Sequence, residues 1–285
     1  MTIETLRKAY LKQINSEIIR IKKDKTNKIE YPNFADGASR SSVEFAWGIV
    51  NELGYSKNYD VLKEQTVGDL FEDVTKNFVE QALQLISHLR PGKWKYSTDS
   101  TAISGFDQYE HLAELDKLAK KDKTLSSVLG VGYIVKPDIV IGRSPVSDEE
   151  INKNAVVLEN SEAAQLTPLR QQNHQTLILH ASISCKWTIR SDRSQNARTE
   201  ALNLIRNRKG NLPHIVAVTA EPLPNRISTL AFGTGDLDCV YHFALPELKR
   251  AIQKSGNADQ LETLNMMIDG RRLRDISDLP FDLAI

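Results

Sequence analysis

Three side chains in the middle of the chain, Asp138, Lys186 and Glu200, have the types and spacing to hold a divalent cation against a phosphodiester. Asp138 follows Pro137 inside Tyr133 to Ile141, an otherwise apolar run. A carboxylate buried there is costly unless it is paired or holds a metal. Strand alternation from Thr176 to Trp187 puts Leu177, Leu179, Ala181, Ile183 and Cys185 on one face and His180, Ser182, Ser184 and Lys186 on the other. Taken alone, a lysine at such a strand end simply reaches water. Glu200 follows fourteen residues later, beside the helical stripe Ala197, Ala201, Leu204 and Ile205. Two carboxylates would supply hard oxygen ligands for Mg²⁺, which activates a bound water and offsets charge on the transition state. The lysine would orient that water or neutralise the same charge. Spacing of this kind also occurs in proteins that bind no metal.

The elements that must position these groups are read from periodicity. Apolar residues at helical spacing predict helices over Thr5 to Lys23, from a capping box at Thr66–Asp69 to His88, over Tyr109 to Lys120, Ser194 to Arg208, Leu245 to Lys254 and Ala258 to Ile268. Asp24 to Ser42 has turn chemistry and reads as a long loop. Short β-branched runs predict strands over Val131 to Ile141, Ala155 to Leu158, Thr176 to Trp187, Ile215 to Thr219 and Ile227 to Phe232. Strand, helix, strand implies an α/β fold, a central mixed sheet flanked by helices. No repeat or composition break divides the chain, so residues 1–285 are expected to form one domain.

With 285 residues, 40% of them hydrophobic, the chain can bury a real core, which excludes disorder as its main state. Its 37 basic and 37 acidic side chains cancel, so any attraction to a polyanion must be local. Cys185 and Cys239 cannot build a disulfide framework and are expected to be buried thiols. No apolar run is long enough to span a membrane, and a soluble, cytoplasmic protein is expected. The six histidines lack metal-ligand spacing, and His180 is expected in the interior. Gly233-Thr234-Gly235 reads as a turn, and Trp47, Trp94 and Trp187 as packing residues.

A local patch does exist. Lys186 to Lys209 carries seven basic residues against Asp192 and Glu200, and such a cluster binds phosphates by counterion release, although most basic runs are only solvated surface. Within it, Arg190-Ser191-Asp192-Arg193 holds the donors and the acceptor needed for a GG/CC half-site. Arginine is bidentate to guanine O6 and N7, and a carboxylate accepts from cytosine N4. An intrachain Arg–Asp cluster capping the following helix would use the same residues.

Pro137-Asp138, Ser184-Cys185-Lys186 and Glu200 match the variant PD-(D/E)XK motif in which serine replaces the acid before X-Lys and a helix glutamate takes its role. From His180 to Arg198, through Asn207-Arg208-Lys209-Gly210 and Leu212 to Val216, and again over Asp275 to Pro280, the chain resembles NgoMIV-like type II restriction endonucleases. The likeness covers nearly the whole chain and is looser before Gly68. It implies a restriction-endonuclease-like fold and Mg²⁺-dependent cleavage of double-stranded DNA at GCCGGC. The cut would fall at G/CCGGC, leaving four-base 5′ overhangs.

By the same resemblance Asp138 and Glu200 would be metal ligands together with the carbonyl of Cys185, and Lys186, Ser184 and Glu72 would belong to the active site. Arg190, Asp192 and Arg193 would read the core, Asp36 and Arg226 the outer pair, and Gln65 the minor groove. The pattern departs at Ala38, where the relatives have serine. A palindrome requires at least a dimer. The resemblance extends this to a homotetramer, a dimer of dimers holding two sites, within a restriction-modification system whose methyltransferase is a functional partner. Two other classes share some of these residues. A non-cleaving DNA-binding regulator would keep the reader without a metal site, and a PD-(D/E)XK repair nuclease would not need Arg190, Asp192 and Arg193.

Overall fold

The computed structural model describes residues 1–24, 28–54, 58–99, 102–129, 135–159 and 162–285. In chain order they form α1 (Ile3–Gln13), a π turn (Ile14–Ile18), β1 (Ile21–Lys23), β2 (Glu30–Pro32), α2 (Arg40–Glu52), α3 (Glu64–Leu85), β3 (Trp94–Ser97), α4 (His111–Lys121) and α5 (Lys123–Leu129). There follow β4 (Ile139–Arg143), α6 (Asp148–Ile151), β5 (Ile178–Lys186), α7 (Ser191–Asn207), β6 (His214–Thr219), α8 (Pro224–Ala231), β7 (Cys239–His242), α9 (Leu245–Ser255), α10 (Ala258–Asp269), β8 (Leu273–Asp275) and α11 (Leu279–Asp282). Six strands make one sheet in the order β3-β4-β5-β6-β7-β8, and β1 and β2 make a separate antiparallel pair. The large sheet is mixed, since β3 and β4 run antiparallel while β6, β7 and β8 run parallel. The fold is therefore α/β, as expected.

Two compact units share this chain. Residues 1–86, 183–199 and 215–285 form the first. Its α2 and α9 pack so closely that a Cβ on Gly48 would lie 2.4 Å from the Cβ of Ala251, so only glycine fits there. Arg7 on α1 is largely buried. Its guanidinium donates to Asp275 at 2.7 and 2.9 Å and to Glu247 at 2.7 and 3.1 Å. Burial alone would raise the Asp275 carboxyl, but the hydrogen bonds and charge of Arg7, with help from Ser277, hold it below the usual carboxylate range.

Residues 87–182 and 200–214 form the second unit. Gln108, itself buried, donates to the carbonyl of Leu179 at 2.8 Å and accepts from the Leu179 N–H at 2.9 Å. The Gln108 carbonyl accepts from Lys209 N–H, and Tyr109 donates to the Leu204 carbonyl, so the first part of β5 and the end of α7 are tied together. His180 is interior, as expected, with its ring against Trp94 and His214. Both cysteines are buried and neither forms a disulfide among the described residues.

Several boundaries differ from expectation for physical reasons. The first helix stops at Gln13, because a π turn redirects the chain into β1. Thr66 caps nothing, since α3 begins two residues earlier, after an extended Lys63. Ala155 to Leu158 is not a strand: the Asn152 side chain takes the N–H groups of Val157 and Leu158 and donates to the Leu158 carbonyl, which removes them from any ladder. Ile227 to Phe232 is mostly helix, started by Pro224 at its first turn and burying Ile227, Leu230 and Ala231 at helical spacing. Part of the expected strand Val131 to Ile141 lies outside the described residues, and Asp138 stands at a bend just before β4 rather than within it.

Removing one member of a buried ion pair strands the others. Arg7→Ala is expected to cost about 3–5 kcal/mol in urea unfolding at neutral pH. In the unsubstituted protein the Asp275 contribution is full above the ordinary carboxylate range and is lost as pH falls through its depressed value. The cost of the substitution should therefore shrink in acid, and an equal cost at pH 3 and pH 7 would contradict the assignment.

Candidate active site

The first unit contains a cleft of about 1370 Å³. Seven residues singled out in the sequence line it: Asp36, Gln65, Glu72, Cys185, Lys186, Arg190 and Arg226. Gln65 and Glu72 lie two turns apart on α3 and so share a face, with Gln65 exposed and Glu72 half-buried. Cys185 and Lys186 end β5, where buried Ile183 and Cys185 alternate with half-buried Ser184 and Lys186. The polar face expected for Ser184 and Lys186 is thus observed at the open end of the strand. Nearer its start both faces are covered, and His180 and Ser182 are buried.

An aromatic cluster lies under the cleft. The Trp187 ring stands 5.1 Å from Phe71, 5.6 Å from Phe34 and 6.1 Å from Phe243, with edge-on contacts to the first two. Trp187 follows Lys186, Phe71 precedes Glu72, and Phe34 is two residues before Asp36. The packing role expected for Trp187 is what the structure gives it. The main chain beside it is also fixed, because the Lys186 carbonyl accepts from Thr219 Oγ1 at 2.7 Å and from the Ala220 N–H at 3.3 Å.

Asp36 is held in the turn between β2 and α2. Its N–H donates to Ser42 Oγ at 2.9 Å, its Oδ1 accepts from the Ala38 N–H at 3.0 Å, and its Oδ2 accepts from the Arg226 guanidinium. At position 38 it is therefore the main chain that serves this turn. Burial opposes ionisation of Asp36, but the Ala38 N–H and Arg226 outweigh it and keep the carboxyl below its ordinary range. Asp36 and Arg226 stand side by side, one an acceptor and the other a donor fork. The edge of a G·C pair presents the complement, two acceptors on guanine beside the N4 donor of cytosine.

Six basic and six acidic side chains line the cleft among the described residues, and their formal charges cancel. Arg190 is exposed, with Glu64 at 4.0 Å. Asp192 and Arg193 fall in the first turn of α7, and their side chains lie outside the described residues. Asp138 and Glu200, both half-buried, belong to the second unit. Among the described residues no group of three or more His, Cys, Asp and Glu side chains is placed to hold a metal ion. A set of two carboxylates and a main-chain carbonyl needs only two such side chains, and its donors are the hard oxygens that Mg²⁺ prefers.

Sequence reasoning passed over Glu221, which is 1% exposed and accepts from the Ile189 N–H at 2.9 Å and the Leu223 N–H at 3.2 Å. An acid directly after the apolar run Ile215 to Ala220 was the available signal.

The class follows from comparison with known proteins. The family described as the NgoMIV restriction enzyme matches residues 10–285. The type II restriction enzyme NgoMIV of Neisseria gonorrhoeae is 47% identical over 255 residues, which is 88% of this chain and 89% of that one. Two solved structures also align. They are the restriction endonuclease PspGI in a substrate DNA complex (TM-score 0.31, 15% identity, 99% of this chain and 92% of that one) and the type IIF restriction endonuclease Bse634I with cognate DNA (TM-score 0.34, 12% identity, 90% and 98%). At those scores neither alignment carries weight, and the assignment rests on the sequence matches. The chain belongs to the NgoMIV restriction enzyme family and is a type II restriction endonuclease, a DNA-binding nuclease.

Emptying the space of a buried tryptophan costs about 3–5 kcal/mol. Trp187→Ala is expected to lose that much in urea unfolding, and Trp187→Phe markedly less. Equal, small losses in both variants would show that the ring does not anchor the cleft.

Proposed function

We propose that the enzyme cuts double-stranded DNA at the palindrome GCCGGC, between the outer G and the first C, leaving four-base 5′ overhangs. The observation that carries this reading is the cleft in which the Asp36–Arg226 pair shares its walls with Lys186 and Glu72. That pair has the donor and acceptor order of a G·C reader, and a lysine at a strand end has the chemistry to assist an attacking water. Arg190, Asp192 and Arg193 are assigned to the CCGG core, Asp36 and Arg226 to the outer pair, and Gln65 to the minor groove.

Enzymes of this family generally use a divalent metal, which supplies a water of lowered pKa and offsets charge in the transition state. Mg²⁺ is assigned here because the donors are all hard oxygens. Asp138 and Glu200 would hold it with the carbonyl of Cys185. Lys186 orients the attacking water, while Glu72 and Ser184 complete the polar surroundings. The whole chain, 1–285, is assigned to one endonuclease domain. It works in the cytoplasm as a homotetramer, a dimer of dimers on two sites, and defends its host alongside a methyltransferase that protects host DNA.

Asp138→Ala and Glu200→Ala are expected to cut slower by a factor on the order of 10³ while still binding a GCCGGC duplex without metal, measured by plasmid digestion and gel shift. Undiminished cutting would refute the assignment. Arg193→Ala should lose about 1–3 kcal/mol of discrimination at a core guanine, and equal affinity of the unsubstituted protein for GCCGGC and a core-substituted duplex would reject the reader.

A further inference from the structure

Glu221 sits where three parts of the first unit meet, in the turn Glu221-Pro222-Leu223-Pro224 between β6 and α8. Its main chain is tied toward the end of β5, since the Glu221 N–H donates to Thr219 Oγ1 at 3.1 Å and that hydroxyl donates to the Lys186 carbonyl. Its Oε2 accepts from the N–H of Ile189, the residue before Arg190, and stands 3.9 Å from Arg226 Nη1. Its Oε1 accepts from the Leu223 N–H at the start of α8, the helix that carries Arg226. One buried carboxylate thus faces the main chain leading into Arg190 and the guanidinium that pairs with Asp36. A buried carboxylate survives only where donors surround it.

We propose that Glu221 is a positioning residue for base reading: the Ile189 and Leu223 N–H groups hold its carboxylate, and the carboxylate holds Arg226 in place to read the outer base pair. It acts through Arg226 and does not touch DNA. The inference rests on the assignment of Arg226 to the outer pair made above.

The carboxyl has to be ionised to do this. Burial pushes it up to about 7, against the opposing pull of the Ile189 and Leu223 N–H groups and Arg226. The charged and titratable groups around it are Arg226 on α8, Asp36 in the β2–α2 turn, and His242 on β7, whose ring interacts with the Glu221 main chain. Asp36 is held low and burial pushes His242 down to about 4, so neither changes charge between pH 6 and 8. Ionised Glu221 is the form that attracts Arg226, so selectivity at the outer pair should rise with pH through this range.

The test compares affinities of the full-length protein for duplexes carrying GCCGGC, the outer-swapped CCCGGG and the core-swapped GCGCGC, without metal so that nothing is cut. Glu221→Gln is expected to lower the GCCGGC to CCCGGG ratio by about tenfold, the scale of one weakened charge-assisted contact, and to leave the ratio against GCGCGC within about twofold. The unsubstituted protein should show an outer-pair ratio that climbs from pH 6 to 8, and the variant a flat one. An unchanged outer-pair ratio in Glu221→Gln, or both ratios falling together, would overturn the inference. Should the variant not fold, a pH-independent outer-pair ratio in the unsubstituted protein overturns it equally. Failure of the unsubstituted protein to prefer GCCGGC over CCCGGG would remove the underlying assignment, and the inference with it.

Discussion

The ring of Trp187 is the constraint on which the cleft depends. It packs against Phe34, Phe71 and Phe243, and each of the first two lies within two residues of a cleft side chain, Asp36 or Glu72. Trp187 itself follows Lys186. Aromatic faces interlocked at 5 to 6 Å have little freedom to slide, so groups contributed by β5, α3 and the β2–α2 turn are held in fixed relation by a contact that is wholly apolar. The polar bonds at the Lys186 carbonyl then fix the direction in which the lysine leaves the sheet.

As the proposed DNA-facing surface, the cleft has unusual electrostatics. Among the described residues its acidic side chains equal its basic ones in number, so those residues together offer phosphates no net attraction. Each carboxylate must therefore be offset locally. Asp36 has Arg226, and Glu221 below the surface has two main-chain N–H groups with Arg226 beside it. An acid next to a phosphate backbone is tolerable where it meets a cytosine amino group or a cation, so under the proposed function the placement of Asp36 would serve specificity.

Much of this was legible in the sequence because strand alternation and helical stripes report burial directly. The faces of β5, the stripe of α7, the strand at β6 and the packing role of Trp187 all follow from residue types within a few positions of one another. What escaped were features decided by distant partners. Arg7 reads as one more exposed base until Glu247 and Asp275 are seen beside it, 240 and 268 residues away. α2 was missed although Phe45, Ala46, Ile49 and Val50 form its buried stripe, and only its first residues, Arg40 to Ser42, overlap the turn-rich run that begins at Asp24. The run after Pro224 has β-branched residues, yet proline at the helix start and burial every third or fourth residue decide for helix. Glu221 escaped because the partners that hold it are main-chain N–H groups, which residue types do not mark, and its one signal was an acid directly after the run Ile215 to Ala220.

The most direct test of the account is to map, at nucleotide resolution, both strands of a duplex containing one GCCGGC after incubation with the enzyme and Mg²⁺ or with chelator. The account predicts 5′-phosphate ends after the outer G on each strand, formed only with the metal and absent from a duplex lacking the palindrome. Breaks at other positions, breaks in unrelated duplexes, or breaks that persist in chelator would contradict it.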